Sequence, residues 1–175
     1  MDTLTIWQPW ATLLVNGTKK YETRTWAPPR PHLKLGTPIG IHTAKKRTPY
    51  SQLSQAIHDE ISRAEYERLP HGVLIGIGTL VSISQVMHSL EPPYVKAYTL
   101  NENGVKGITQ IETDPFGDFS PKRILWEFKD MIKIDPPYPC KGHQGLWNFK
   151  YGYTFFIEGV INQKINSRFA PKEPT

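Results

Sequence analysis

The chain is poor in cysteine. Cys140 is the only one among 175 residues, so no disulfide can close within the chain and no cysteine-based zinc site can form. Long apolar runs are also missing. The longest, around Val73 to Val81, is far too short to span a bilayer. The N-terminus has no basic run followed by an apolar core, so no signal peptide is expected and a cytoplasmic protein is the default expectation. There is no phosphate-binding Gly-x-x-x-x-Gly-Lys loop, no dinucleotide glycine fingerprint and no Gly-x-Ser-x-Gly elbow. The histidines lack metal spacing, so neither metal nor cofactor is expected. Cys140, between a proline and a lysine, reads as an incidental thiol rather than a nucleophile.

Proline, in contrast, is abundant, with 16 residues. It argues for short elements joined by stiff loops. Hydrophobic residues make up 38% of the chain and aromatics 11%, a globular rather than a disordered composition. The length suits one domain. The net charge of +5 favours polyanionic partners, although a slightly basic soluble protein would look the same.

Leu4 to Trp7 reads as a short strand. A helix follows, with Pro9 in its first turn and Trp10, Leu13 and Leu14 on one face, stopped by Asn16-Gly17. Lys20 to Trp26 is β-like and ends at the prolines that follow. Thr37 to Thr43 is a second strand running into the basic cluster Lys45-Lys46-Arg47. Ser51 to Leu69 reads as one helix, with Leu53, Ile57, Ile61 and Ala64 on its apolar face. His71 to Val86 is a long strand in which Gly76 and Gly78 mark a bend or a close backbone approach. Residues 87–116 are polar and turn-rich and read as a loop insertion. Ile124 to Ile134 is a further strand broken by Pro136 and Pro137. An alternating stretch from Thr154 to Ile161 precedes a polar tail. The expected architecture is α+β: a small mixed β-barrel with flanking helices.

The densest chemistry lies in Gly17 to Arg24. Strand alternation puts Glu22 and Arg24 on one face and Tyr21 and Thr23 on the other. Lys19, Arg24, Lys45, Lys46 and Arg47 could line one basic surface, with Trp7, Trp10, Trp26 and Tyr21 close to them in sequence. That combination suits single-stranded nucleic acid, whose bases stack and whose phosphates pair with cations. Trp10 and Trp126 read as core; for Trp7 and Trp26, core and stacking both stand. Glu22 either pairs with Lys19 or Arg24, or accepts hydrogen bonds from a base edge.

The run Ile6-Trp7-Gln8-Pro9-Trp10-Ala11 with Leu14 to Arg24 resembles the signature of the ASCH domain (activating signal cointegrator homology), a family of PUA-like fold. Its pattern Gly-x-Lys-x-x-Glu-x-Arg is met by Gly17, Lys19, Glu22 and Arg24. Ile39 to Lys46, Gly117 to Arg123 with Trp126, and Lys141 to Trp147 agree in order, over residues 3 to about 149. The resemblance implies a domain at 1–150, with 151–175 as a C-terminal extension. It implies a PUA-like barrel with a cleft beside the first helix that binds RNA, other single-stranded nucleic acid or a modified nucleoside. Some members of the family are hydrolases: one branch removes the acyl group from N4-acetylcytidine with a lysine, a threonine and a glutamate, and another is reported to cut RNA. The deacylase lysine matches Lys19, but its threonine falls at Glu22, and Gly72 to Met87 holds no acidic residue for its glutamate. The family's usual glycine in the Gly117 to Arg123 stretch is Lys122.

Three functional readings follow. In the first, the cleft binds nucleic acid through Trp7, Gln8, Lys19, Glu22, Arg24, Trp26, His42, Lys45, Lys46 and Gln144. Here the cations meet phosphate, Glu22 and Gln144 read a base edge, and Trp7 or Trp26 stacks. In the second, Lys19 and Glu22 are the acid–base pair of a hydrolase. In the third, the charges form only a salt-bridge network. Oligomeric state is left open by the sequence.

Overall fold

A computed structural model describes residues 1–28, 35–101 and 104–149 of the chain. The elements are β1 (Asp2–Ile6), α1 (Trp10–Asn16), β2 (Tyr21–Arg24), β3 (Pro38–Thr43), a 3₁₀ turn (Tyr50–Gln52), α2 (Gln55–Glu60), α3 (Arg63–Arg68), β4 (Val73–Ser89), β5 (Tyr94–Asn101), β6 (Gly104–Glu112), β7 (Ile124–Pro139) and β8 (Leu146–Asn148). The strands form one sheet in the order β2-β7-β4-β3-β1-β8, with β5 and β6 attached to β4 as a hairpin. β1 and β3 run parallel and the other pairs antiparallel. The sheet curls into a half-barrel with short helices against it, the expected mixed α+β barrel of PUA-like type.

β4 and β7 are its spine, paired from Val73↔Pro139 to Gln85↔Ile124 with three register shifts along the way. Each shift bends the strand and increases its twist, which curls a long sheet. Pro136 and Pro137, expected to end β7, lie inside such a shift, between the pairs Gly76↔Lys133 and Leu74↔Tyr138. A bulge asks for no ladder N–H from these residues, so the strand tolerates its prolines.

The main core joins Leu4 and Ile6 of β1, Leu14 and Val15 of α1, Ile39 and Ile41 of β3, Ile83 of β4 and Trp126 of β7. Gly76 is a close approach, as expected: a Cβ there would stand 2.7 Å from Val15 Cγ2, so α1 seats directly on β4.

Two further expectations need correction. Residues 87–116 are not a loop: the end of β4 and the whole of β5 and β6 lie there. Val95, Ala97 and Ile111 are buried against Val86 and Leu125, but residues 105–110 of β6 are exposed throughout, which erased the alternation that marks a half-buried strand. Ser51 to Leu69 is not one helix either. Ile61 is extended at φ −131° and ψ 119°. Ser62 then opens α3 with a reciprocal cap: its Oγ accepts the Glu65 N–H at 3.3 Å and its N–H donates to Glu65 Oε2 at 2.9 Å. This capping box starts a new helix where the apolar spacing had implied continuity. Leu53, Ile57 and Ile61 are buried as expected, but Tyr66, not the exposed Ala64, completes their cluster with Leu13.

Among the described residues, no helix is long and apolar enough to cross a membrane, and no group of three His, Cys, Asp or Glu stands close enough to hold a metal ion. The stretch from Thr154 to Ile161 lies outside the described residues.

Lys122 takes the left-handed conformation, φ 73°, while its N–H donates to Val86 O at 2.8 Å. That backbone costs a residue with a side chain about 1–2 kcal/mol. Glycine removes this strain but loses more entropy on folding, about 0.5–1 kcal/mol. Lys122→Gly should therefore raise the urea midpoint slightly, and Lys122→Val should lower it. A glycine variant no more stable than the parent would show that the loop carries no such strain.

Candidate functional site

The site begins where α1 ends. Gly17 turns left-handed, φ 82°, and its N–H returns to Leu14 O. The Lys19 N–H then closes on Leu13 O at 3.0 Å, which folds the chain back over the helix end and sends the Lys19 side chain inward. Lys19 is only 2% exposed. Its Nζ donates to Tyr21 O and lies 3.9 Å from Glu22 Oε2.

β2 continues from there, pairing Glu22 with Trp126 of β7. Glu22 is itself buried, and its Oε1 lies 2.8 Å from Arg24 Nε. The same guanidinium donates from Nη2 to Thr5 O at 2.7 Å and stands 5.8 Å above the Trp26 ring. Lys19, Glu22 and Arg24 thus converge as one ion array across β1 and β2. Tyr21 packs edge-on to Phe119, while Thr23, whose Oγ1 accepts the Asp118 N–H at 3.1 Å, lines the adjoining cavity together with Glu22 and Arg24. Burial pushes the Lys19 ammonium below the ordinary lysine value; the carboxylates of Glu22 and Asp114 oppose that shift.

Beside the array lies a cavity of about 460 Å³ whose walls include Trp7, Trp10, Glu22, Arg24, Phe116 and Asp118. Its far wall, residues 115–118, is held by Asp114, which sequence reasoning missed. Asp114 is 7% exposed. Its carboxylate accepts the N–H groups of Lys20 (2.9 Å), Tyr21 (3.3 Å) and Phe116 (2.9 Å). One side chain therefore ties the loop to the start of β2. No local pattern announces it, because the β2 partners are more than ninety residues away.

A second cavity, of about 400 Å³, lies across Trp7 and Arg24, which line both. Its walls hold Lys45, Lys46 and Gln144 from the expected set, together with Lys141 and His143. Trp7 is 43% exposed, and Lys46 Nζ stands 5.1 Å from its ring centre.

The expected residues thus divide. Trp7, Lys19, Glu22 and Arg24 meet at the first cavity, while His42, Lys45, Lys46 and Gln144 meet at the second. Glu22 and Gln144 line different cavities rather than one base-reading edge. Gln8 lines neither: it is 1% exposed, donates to Pro70 O at 3.0 Å and accepts the Thr12 N–H at 3.1 Å. Trp26 is half-buried and packs edge-on against Trp126 at 5.3 Å, so it supports Arg24 from behind. Trp10, read as core, packs on both apolar clusters and also lines the first cavity. His42 is 2% exposed, with Nδ1 3.2 Å from Thr5 Oγ1 and Nε2 3.3 Å from Cys140 O. Burial lowers its basicity, and it braces the segment behind it.

The buried Lys19 has a linkage consequence. A lysine whose folded pKa is depressed penalises folding at low pH, and the penalty fades as pH rises through the folded pKa toward the unfolded one, because in that window the unfolded chain holds a proton that the folded one has released and rising pH disfavours the state that holds it. The stability of the wild type relative to Lys19→Met should therefore climb through the alkaline range toward 10.5. A difference that stays flat with pH, in urea titrations of both proteins, would contradict the depressed value.

No curated protein matches the chain. The family model described as the ASCH domain matches residues 4–137, a span that includes α1, the Lys19–Glu22–Arg24 array and the Asp114 clamp. The chain belongs to the ASCH domain family.

Proposed function

We propose that the protein binds single-stranded nucleic acid, RNA in particular, by admitting one base into the first cavity. The observation that carries this reading is Trp7. It is a large aromatic left 43% exposed, on the wall shared by a cavity with a buried carboxylate and a cavity lined by cations. A base stacked on Trp7 or Trp10 would place an exocyclic amine toward Glu22, which can accept from it. Membership of the ASCH family supports the same class of ligand. Lys19 has a different role from the one expected of it. Its ammonium is engaged by Tyr21 O and faces Glu22, so it holds Glu22 in place and leaves phosphate to the exposed lysines.

The mutual pairing of Lys19, Glu22 and Arg24 also fits a purely structural network, and the exposed tryptophan beside it is what favours binding. One observation favours hydrolysis: burial that lowers the Lys19 pKa makes the neutral amine, a base, easier to reach. Incubation with N4-acetylcytidine and with RNA tests that reading, and turnover unaffected by Lys19→Ala would dismiss it.

Fluorescence anisotropy with a mixed-sequence single-stranded RNA tests the binding reading. The wild type should bind at low salt and weaken steadily as salt rises. Trp7→Ala should cost about tenfold or more, since stacking on an aromatic contributes about 1–3 kcal/mol per base. No binding at low salt, or an unchanged affinity in Trp7→Ala, would overturn it.

A further inference from the structure

The second cavity is built from two segments distant in sequence. Lys45 and Lys46 follow β3, and Lys141 and His143 belong to the strap between β7 and β8. Together with Arg24 it gathers four permanent cations and no carboxylate. The first cavity, in contrast, contains Glu22 and Asp118. Like charges within one concavity repel one another, and a partner anion removes that cost.

The cavity is held in shape before any ligand arrives. Thr5 Oγ donates to His143 O at 2.6 Å, and Trp147 Nε1 donates to Thr5 Oγ1 at 2.9 Å. Gly142 presses so closely on the buried His42 ring that a Cβ there would stand 2.1 Å from its Cε1; no other residue lets the strap lie down. On the opposite side, the stem of Lys45 lies over Gly72, where a Cβ would meet Lys45 Cγ at 2.7 Å. The flexible cations are therefore mounted on a braced backbone, and ordering them costs less than on a free loop.

We propose that this second cavity is a phosphate subsite, and that the ligand of the whole site is a phosphorylated nucleotide unit rather than a free nucleoside. The base occupies the first cavity and its phosphate crosses the Trp7–Arg24 divide to Lys45, Lys46 and Lys141. This rests on the base-binding reading of the first cavity. It adds Lys141 as a binding residue and excludes an uncharged nucleoside as the preferred ligand.

The test uses the full chain and three probes: a mixed-sequence RNA octamer without terminal phosphates, the same octamer carrying a 5′-phosphate, and inorganic phosphate. The double variant Lys45→Ala/Lys141→Ala changes only exposed side chains and should remain folded. It should lower the dependence of log affinity on log salt by about two, one for each phosphate-contacting lysine. In the wild type, inorganic phosphate should shift the backbone amide resonances of Gly142 to Gly145, and the double variant should lose those shifts. A tighter 5′-phosphorylated octamer would point to a terminal phosphate, and equal octamers to an internal one. Wild-type salt dependence in the double variant, together with unmoved resonances, would overturn the subsite. If Trp7→Ala still weakened RNA binding, the base reading would survive that failure. Conversely, phosphate-induced shifts in a wild type that binds no RNA would leave an anion site and remove the base reading.

Discussion

Glu22 is a carboxylate taken out of water, and an isolated charge there is costly enough that it must be matched or neutralised. Arg24 Nε at 2.8 Å and Lys19 Nζ at 3.9 Å supply the match. Much of the surrounding structure follows from this requirement. Lys19 reaches its place because Gly17 ends α1 and the chain folds back over the helix. Arg24 reaches its place because β2 continues for only two more residues, and its guanidinium then bridges to Thr5 O of β1. The contrast with Lys20 and Glu112 is instructive. They make an ion pair of 2.9 Å with each partner about half exposed, where water and salt screen most of the attraction. Breaking the buried array by removing one partner would leave an uncompensated charge, a cost of about 3–5 kcal/mol.

The same array sets the character of the two cavities. Its carboxylate faces the first, where Trp7, Trp10 and Phe116 add aromatic wall and the Asp114 clamp fixes the distant loop. Arg24, tethered by Glu22 and Thr5 O, becomes the partition. Beyond it the charge is of one sign only. A polar, aromatic-walled hole next to a cationic one suits a ligand that is itself divided into a flat ring and an anion. Neither cavity alone makes so specific a demand.

Much of the local structure was legible in the residues. α1 showed its apolar spacing and its glycine stop. β2 and β3 showed their alternation, and Gly76 marked where a helix presses on a strand. The Ser62–Glu65 spacing of a capping box was also present, although the apolar period through Leu53, Ile57 and Ile61 concealed it. The β5–β6 hairpin was not legible, because six consecutive exposed residues carry no alternation. The prolines of β7 misled for a related reason: a bulge is a property of the pairing, not of the strand that contains it.

The sequence by itself determined the turn that folds Lys19 back, the charges of β2 and which of its residues share a face, because these depend on neighbours within a few positions. It also carried the family pattern. Only the tertiary structure decided what those charges do. Gln8, adjacent to Trp7 in sequence, is consumed by Pro70 O and the Thr12 N–H, while Trp7 itself stands open. Glu22 and Gln144 fall in separate cavities, and Asp114 joins a loop to a strand that lies far from it along the chain. Burial and partnership depend on contacts among distant segments, and a one-dimensional pattern does not encode which distant segments meet.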